Sequence, residues 1–135
     1  MGKSKQGESI KTYLPQPAAQ VVERLQILWH LPSNLTSDSK AWMTWQNWGL
    51  YDKELYIEDD VSTWKWHLEH IVPHSEFCYT TMDCQEFRDC WDINNLRPYP
   101  AKQNIIESNN RTKAQSLQIK VEIKKFLESL KRING

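Results

Sequence analysis

Glu69 and His70 are adjacent, Asn95 follows 25 positions after His70, and Asn104 comes nine later. One carboxylate, one imidazole and two carboxamides thus fall within 36 residues. Phosphodiester hydrolysis needs a cation to neutralise charge developing on the phosphate, and a base to deprotonate the attacking water. Glu69 and Asn104 each offer an oxygen to a hard divalent ion. His70 titrates near neutrality and suits the base. An amide oxygen from Asn95 can hold the imidazole in one tautomer. Each of these residues alone has an ordinary structural role: a satisfied histidine, a turn asparagine, a helix cap.

Cationic candidates surround this set. Arg97, Lys102, Arg111 and Lys113 are the candidate nucleic-acid contacts, with a surface ion pair as the plain alternative for Arg97. Lys113, Lys120, Lys124 and Lys131 share one helical face, able to follow a phosphate backbone or to be a solvated face. His74 is a candidate extra ligand or proton shuttle; His30 and His67 read as structural. Cys78, Cys84 and Cys90 match no C-x-x-C pair. They read as free thiols, with a thiol or zinc module including His74 as a third-ranked use.

The elements that must position these groups follow from periodicity. In 135 residues there is room for one domain, and no apolar run approaches the ~20 residues that span a bilayer. Residues 1–15 read as a flexible basic arm without a secretory signal, and 16–135 as one domain. Residues 17–30 carry apolar positions at helical spacing behind Pro17. A polar loop follows, with Asp38 or Ser39 as the N-cap of a short helix bearing Trp42, Trp45 and Trp48. That trio reads as core aromatics, with a base-stacking platform as the sharper alternative. The acidic stretch 50–63 is an excursion or hairpin. Residues 64–72 alternate as a strand until Pro73, 74–92 form an irregular or briefly helical connection, 93–96 make a second strand, and 97–100 turn the chain. Helices over 101–110 and about 112–133 complete it, the latter with a stripe of Ile119, Ile123, Phe126, Leu130 and Ile133. The formal net charge is zero, yet the chain is polarised. Residues 41–92 hold three basic against eleven acidic residues, and 101–135 hold eight against three.

W-H-L-E-H-I-V-P-H-S-E-F (66–77), W-D-I-N-N-L-R-P-Y-P-A-K-Q-N (91–104) and W-M-T-W-Q-N-W-G (42–49) together resemble the blocks of phage-type, free-standing HNH endonucleases. The resemblance covers roughly 42–111. It implies an α+β fold with a ββα-metal core, about 64–111: a two-stranded antiparallel sheet plus a helix, with added N- and C-terminal helices. It implies a metal-dependent DNA endonuclease or nickase leaving 5′-phosphate and 3′-hydroxyl ends. His70 is then the base, Asn95 its orienting residue, and Glu69 and Asn104 the ligands of one divalent ion, Mg²⁺ first and Mn²⁺ second. Duplex DNA is the implied partner, the implied setting is intracellular in the host of a phage or other mobile element, and the choice between monomer and dimer is left open. The chain departs from the pattern in four ways. Glu69 stands where Asp is usual, shifting the carboxylate by about 1.5 Å. Ile105-Ile106-Glu107-Ser108 replaces a lysine-rich stretch, 50–63 is long and acidic, and zinc-binding cysteines are absent. An ideal strand would also put Glu69 and His70 on opposite faces. These departures favour, as the rival reading, a scaffold that kept the fold and binds nucleic acid, or another partner, without efficient cleavage.

Overall fold

The computed structural model describes residues 14–31, 42–73, 76, 77, 81, 83–107 and 110–134, with Ile133 and Asn134 described by backbone alone. It is an α+β arrangement: a two-stranded antiparallel hairpin packed against helices, with further helices at the N- and C-terminal ends. Helix α1 (Ala18–Leu28) starts behind Pro17, whose φ of −58° is already close to helical. Leu25 and Leu28, one turn apart, are buried, and each enters a different core cluster. Leu25 joins Trp42, Met43 and Trp66. Leu28 joins Leu31, Ile71 and Ile123.

The tryptophan-rich segment folds as a single 3-10 turn, Trp45–Asn47, and not as an α-helix. Asn47 explains the tight turn: its Oδ1 accepts from Thr44 N at 2.8 Å and its Nδ2 donates to Trp42 O at 3.0 Å. The segment covers the outer edge of the hairpin, where Gly49 N donates to Trp66 O at 2.8 Å. Trp66 is fully buried among Trp29, Trp45 and Trp48, with ring centroids 5.2–6.1 Å apart within the group. Its indole N–H donates to Thr44 O at 2.6 Å. The core reading of Trp42 and Trp45 therefore accounts for their surroundings, whereas Trp48 is 56% exposed. The proposed cap at Asp38 or Ser39 lies outside the described residues. The stretch 50–63 is neither strand nor hairpin. It is a run of turns closed by a 3-10 turn, Val61–Thr63, capped by Asp60.

Strand β1 (Trp66–His70) pairs with β2 (Leu96–Pro100), so Glu69 faces Arg97 and His70 faces Leu96. The second strand is thus displaced from the expected 93–96: residues 93–95 form a 3-10 turn capped by Asp92, Leu96 opens β2, and the expected turn at 97–100 is strand. Its prolines suggested a break, and register explains why they do not make one. Ile71 N donates to Asn95 O at 2.7 Å and Ala101 N to Lys65 O at 2.8 Å. Hydrogen-bonded pairs therefore fall at odd positions of β1, and Pro98 and Pro100 oppose Leu68 and Trp66. At such positions the backbone nitrogen points away from the partner strand, so no ladder bond is lost.

Between the strands lies helix α2 (Gln85–Cys90), which buries Phe87 and Cys90. After β2 come α3 (Ala101–Glu107) and α4 (Lys113–Asn134). Thr112 and Gln115 start α4 with a reciprocal capping box, at 3.1 and 2.8 Å. Ile119, Ile123, Phe126 and Leu127 then pack against Leu28, Leu31 and Ile71. The side chain of Ile133 lies outside the described residues. Among the described residues no helix is long and apolar enough to cross a membrane.

Candidate active site

β1 splits the candidate residues by parity. Trp66, Leu68 and His70 share one face, and His67 and Glu69 the other. Helix α3 lies over the second face, where Asn104 meets His67 and Glu107 meets Tyr99. The pairing of β1 with β2 runs unbroken through Glu69 and His70, which keeps the two on opposite faces.

His70 sits at the end of β1, half-buried, its ring edge-on to Trp91 at 4.5 Å. Its Nδ1 lies 2.8 Å from the carbonyl oxygen of Cys90. A carbonyl only accepts, so Nδ1 carries the proton and Nε2 of the neutral ring carries the lone pair. Asn95 is fully buried and reaches this geometry indirectly. Its Oδ1 accepts from Val72 N at 2.8 Å. Its Nδ2 donates to Cys90 O at 2.9 Å and to Val72 O at 3.3 Å. The amide oxygen does not touch the imidazole. Instead Asn95 holds the carbonyl that holds the imidazole, and it ties the chain leaving β1 to the end of α2.

Glu69 is 3% exposed, and both of its oxygens are engaged. Oε1 accepts from Arg97 Nε at 2.6 Å and Oε2 from Arg111 at 3.0 Å. Arg111 also donates to Ile71 O at 3.0 Å and lies 3.5 Å from Glu107. Both arginine side chains are 4% exposed, so in this arrangement they face Glu69 and not a duplex. The Arg97 guanidinium also stacks 3.9 Å over the Tyr99 ring. Burial, the hydrogen bond to Glu107 and that carboxylate's charge push the Tyr99 hydroxyl up to about 12, against the pull of Arg97.

Asn104 meets a different partner. Its Nδ2 donates to His67 Nε2 at 3.0 Å, which fits a ring whose Nδ1 lies 3.3 Å from Leu68 O. Its Oδ1 is buried with no hydrogen-bond partner among the described residues.

A divalent ion fits this set poorly. Asn104 supplies one unspent oxygen, but the Glu69 carboxylate lies between two guanidinium groups. Two unit charges about 4 Å apart near a protein surface interact by about 4 kcal/mol, and a divalent charge doubles that for each arginine. Hard cations also want several oxygens. Among the described residues, no three His, Cys, Asp or Glu side chains are grouped so as to hold a metal. His74 and Cys78 lie outside the described residues. Cys90 is buried beside His70, with Sγ 3.6 Å from Nδ1, and burial pushes its thiol up to about 11. It is a thiol at neutral pH and a poor ligand or nucleophile.

The remaining cations differ in setting. Lys102 Nζ pairs with Glu58 at 3.1 Å and lies 4.6 Å over the Tyr56 ring. Lys113, Lys124 and Lys131 are exposed on α4, and Lys120 is half-buried. Sequence reading missed Cys90 as the imidazole's anchor, because a backbone carbonyl leaves no residue signature. It also missed Arg97 as the partner of Glu69. That pairing was there to be read had 97–100 been taken as strand, since cross-strand opposite charges are a standard register signal.

The fold and these contacts define a hairpin-and-helix protein with an anchored histidine and a buried ion cluster. No family model, curated protein or solved structure matches the chain.

Proposed function

We propose that the chain is an HNH-type phosphodiester hydrolase acting on duplex DNA inside the cell, with His70 as the general base. The observation that carries this reading is the anchoring of His70 Nδ1 on the Cys90 carbonyl, itself held by Asn95. It fixes the tautomer in which Nε2 can take a proton from water. The resemblance of residues 42–111 to the HNH blocks and the basic C-terminal third supply the substrate class. Mg²⁺ or Mn²⁺ is the cofactor that the resemblance implies. The arginines on Glu69 oppose its placement there, and no step is assigned to it.

A second reading has an observation of its own. The commitment of Glu69 to Arg97 and Arg111 favours a nucleic-acid-binding scaffold that does not cut. Supercoiled plasmid incubated with the protein in Mg²⁺, in Mn²⁺ and in chelator separates the two. The nuclease reading expects open-circular or linear product, reduced at least 100-fold in His70→Ala while duplex binding stays within about threefold, in line with a general base's contribution. Binding without product in any metal selects the scaffold. Equal cutting by His70→Ala removes His70 from the chemistry.

A further inference from the structure

We infer that Arg97 and Arg111 hold the place beside Glu69 that a divalent cation would need. Glu69 then acts as a buried counter-ion locking the α3–α4 junction to the hairpin. This inference does not depend on whether the chain cuts DNA.

The geometry is that of a closed ion cluster. Arg97 comes from β2, directly opposite Glu69. Arg111 comes from the connection between α3 and α4, and it also holds Ile71 O, just beyond β1. Ser116, 1% exposed on the first turn of α4, donates to the same carbonyl at 2.9 Å. Glu107 completes the set with a second negative charge near Arg111. Two carboxylates thus balance two guanidinium groups with no ion added. Beside this cluster, the buried oxygen without a partner among the described residues is Asn104 Oδ1, a single neutral oxygen, too little to outcompete two arginines for a carboxylate or to hold a hydrated ion by itself.

The test uses the full chain and Mn²⁺ as probe. Thermal melts with and without millimolar Mn²⁺ read binding to the native state, because a ligand that binds only the folded form raises Tm. The expected Tm is unchanged by Mn²⁺. A rise that persists in Glu69→Gln also supports the inference, since the ion then sits elsewhere. A rise abolished by Glu69→Gln overturns it. Without metal, Glu69→Gln strands the Arg97 cation, leaves Arg111 with Glu107 alone, and is expected to lower Tm by about 10 °C or more. Adding Arg97→Gln to that variant removes one stranded charge and is expected to restore part of the loss. A Glu69→Gln protein that melts like the parent overturns the lock. Should Glu69→Gln not fold, the same Mn²⁺ melts on the Glu69→Gln/Arg97→Gln double variant decide the matter.

Discussion

The carbonyl of Cys90 receives two donors, and almost everything proposed for His70 passes through it. Asn95 donates one of them and closes two further bonds to Val72. Replacing it with aspartate keeps the shape, removes both donors and buries a charge. Asn95→Asp is expected to cost about 2–4 kcal/mol of stability in urea unfolding, as leaving buried groups unpaired does. Any surviving folded fraction should lose activity through a misplaced His70, with substrate KM changing little. Loss of activity at full stability would instead point to an amide that touches substrate. Cys90 itself gives a pH signature. Its thiol sits near 11 when folded, against 9.0 ordinarily. The folded state therefore holds the proton more tightly, and the resulting stability is full below about pH 9 and lost as pH rises towards 11. At about 1.4 kcal/mol per pH unit, the loss is about 2–3 kcal/mol. Tyr99, raised towards 12, adds a further loss about one unit higher. Urea midpoints at pH 8, 9.5 and 11 should fall in the parent and fall less in Cys90→Ala. Parallel curves for the two proteins would rule out a buried, perturbed thiol.

At the scale of elements, one short stretch after β1 joins the parts. Ile71 gives its N–H to Asn95 O, its carbonyl to Arg111 and Ser116, and its side chain to Leu28, Leu31 and Ile123. Helix α4 is held to the rest through this contact. Ile123→Ala is expected to cost about 2–5 kcal/mol in urea unfolding, as for other buried aliphatic truncations. Leu117→Ala, on the exposed side of the same helix, should stay within about 0.5 kcal/mol. Equal effects at the two sites would mean that α4 does not dock as described. The helices of 18–28, 101–107 and 113–134 and the strand of 66–70 were legible in the sequence, because each has a clear apolar period or cap. The second strand was not. Its Arg97-Pro98-Tyr99-Pro100 composition reads as a turn, and only the register shows that both prolines face away from the ladder. The same misplacement hid the site's charge balance, since Glu69 and Arg97 become neighbours only once the strands are paired. The order of His70, Asn95 and Asn104 along the hairpin and helix was legible. The separation of His70 from Glu69 follows from strand parity, and the register of β1 with β2 runs unbroken through both residues.

Over the whole molecule, charge is divided between two regions that would treat a polyanion oppositely. The turns of 50–63 carry five acids against Lys53, and Glu58 neutralises Lys102, one of the candidate DNA contacts. Helix α4 carries Lys113, Lys120, Lys124 and Lys131 over 19 residues, about 27 Å along its axis. The face buried through Ile119, Ile123 and Phe126 lies about a quarter to a third of a turn around the helix from this row, in which Lys113, Lys124 and Lys131 are exposed and Lys120 is half-buried. If α4 follows a duplex backbone, affinity must fall steeply with salt, by a slope near 0.9 for each phosphate neutralised. Lys120→Glu, Lys124→Glu and Lys131→Glu combined should lower affinity for a 30-base-pair duplex more than tenfold at low salt. The slope of log affinity against log salt should shrink by about 2–3. Fluorescence anisotropy across a salt series measures both, and circular dichroism checks that the helix is retained. Neutralising Glu58, Asp59 and Asp60 to their amides should act in the opposite sense, raising affinity and, through the freed Lys102, steepening the slope by at most about 1. A triple reversal on α4 that leaves the slope intact would assign the lysines to an ordinary solvated face and move the search for a DNA surface to another part of the molecule.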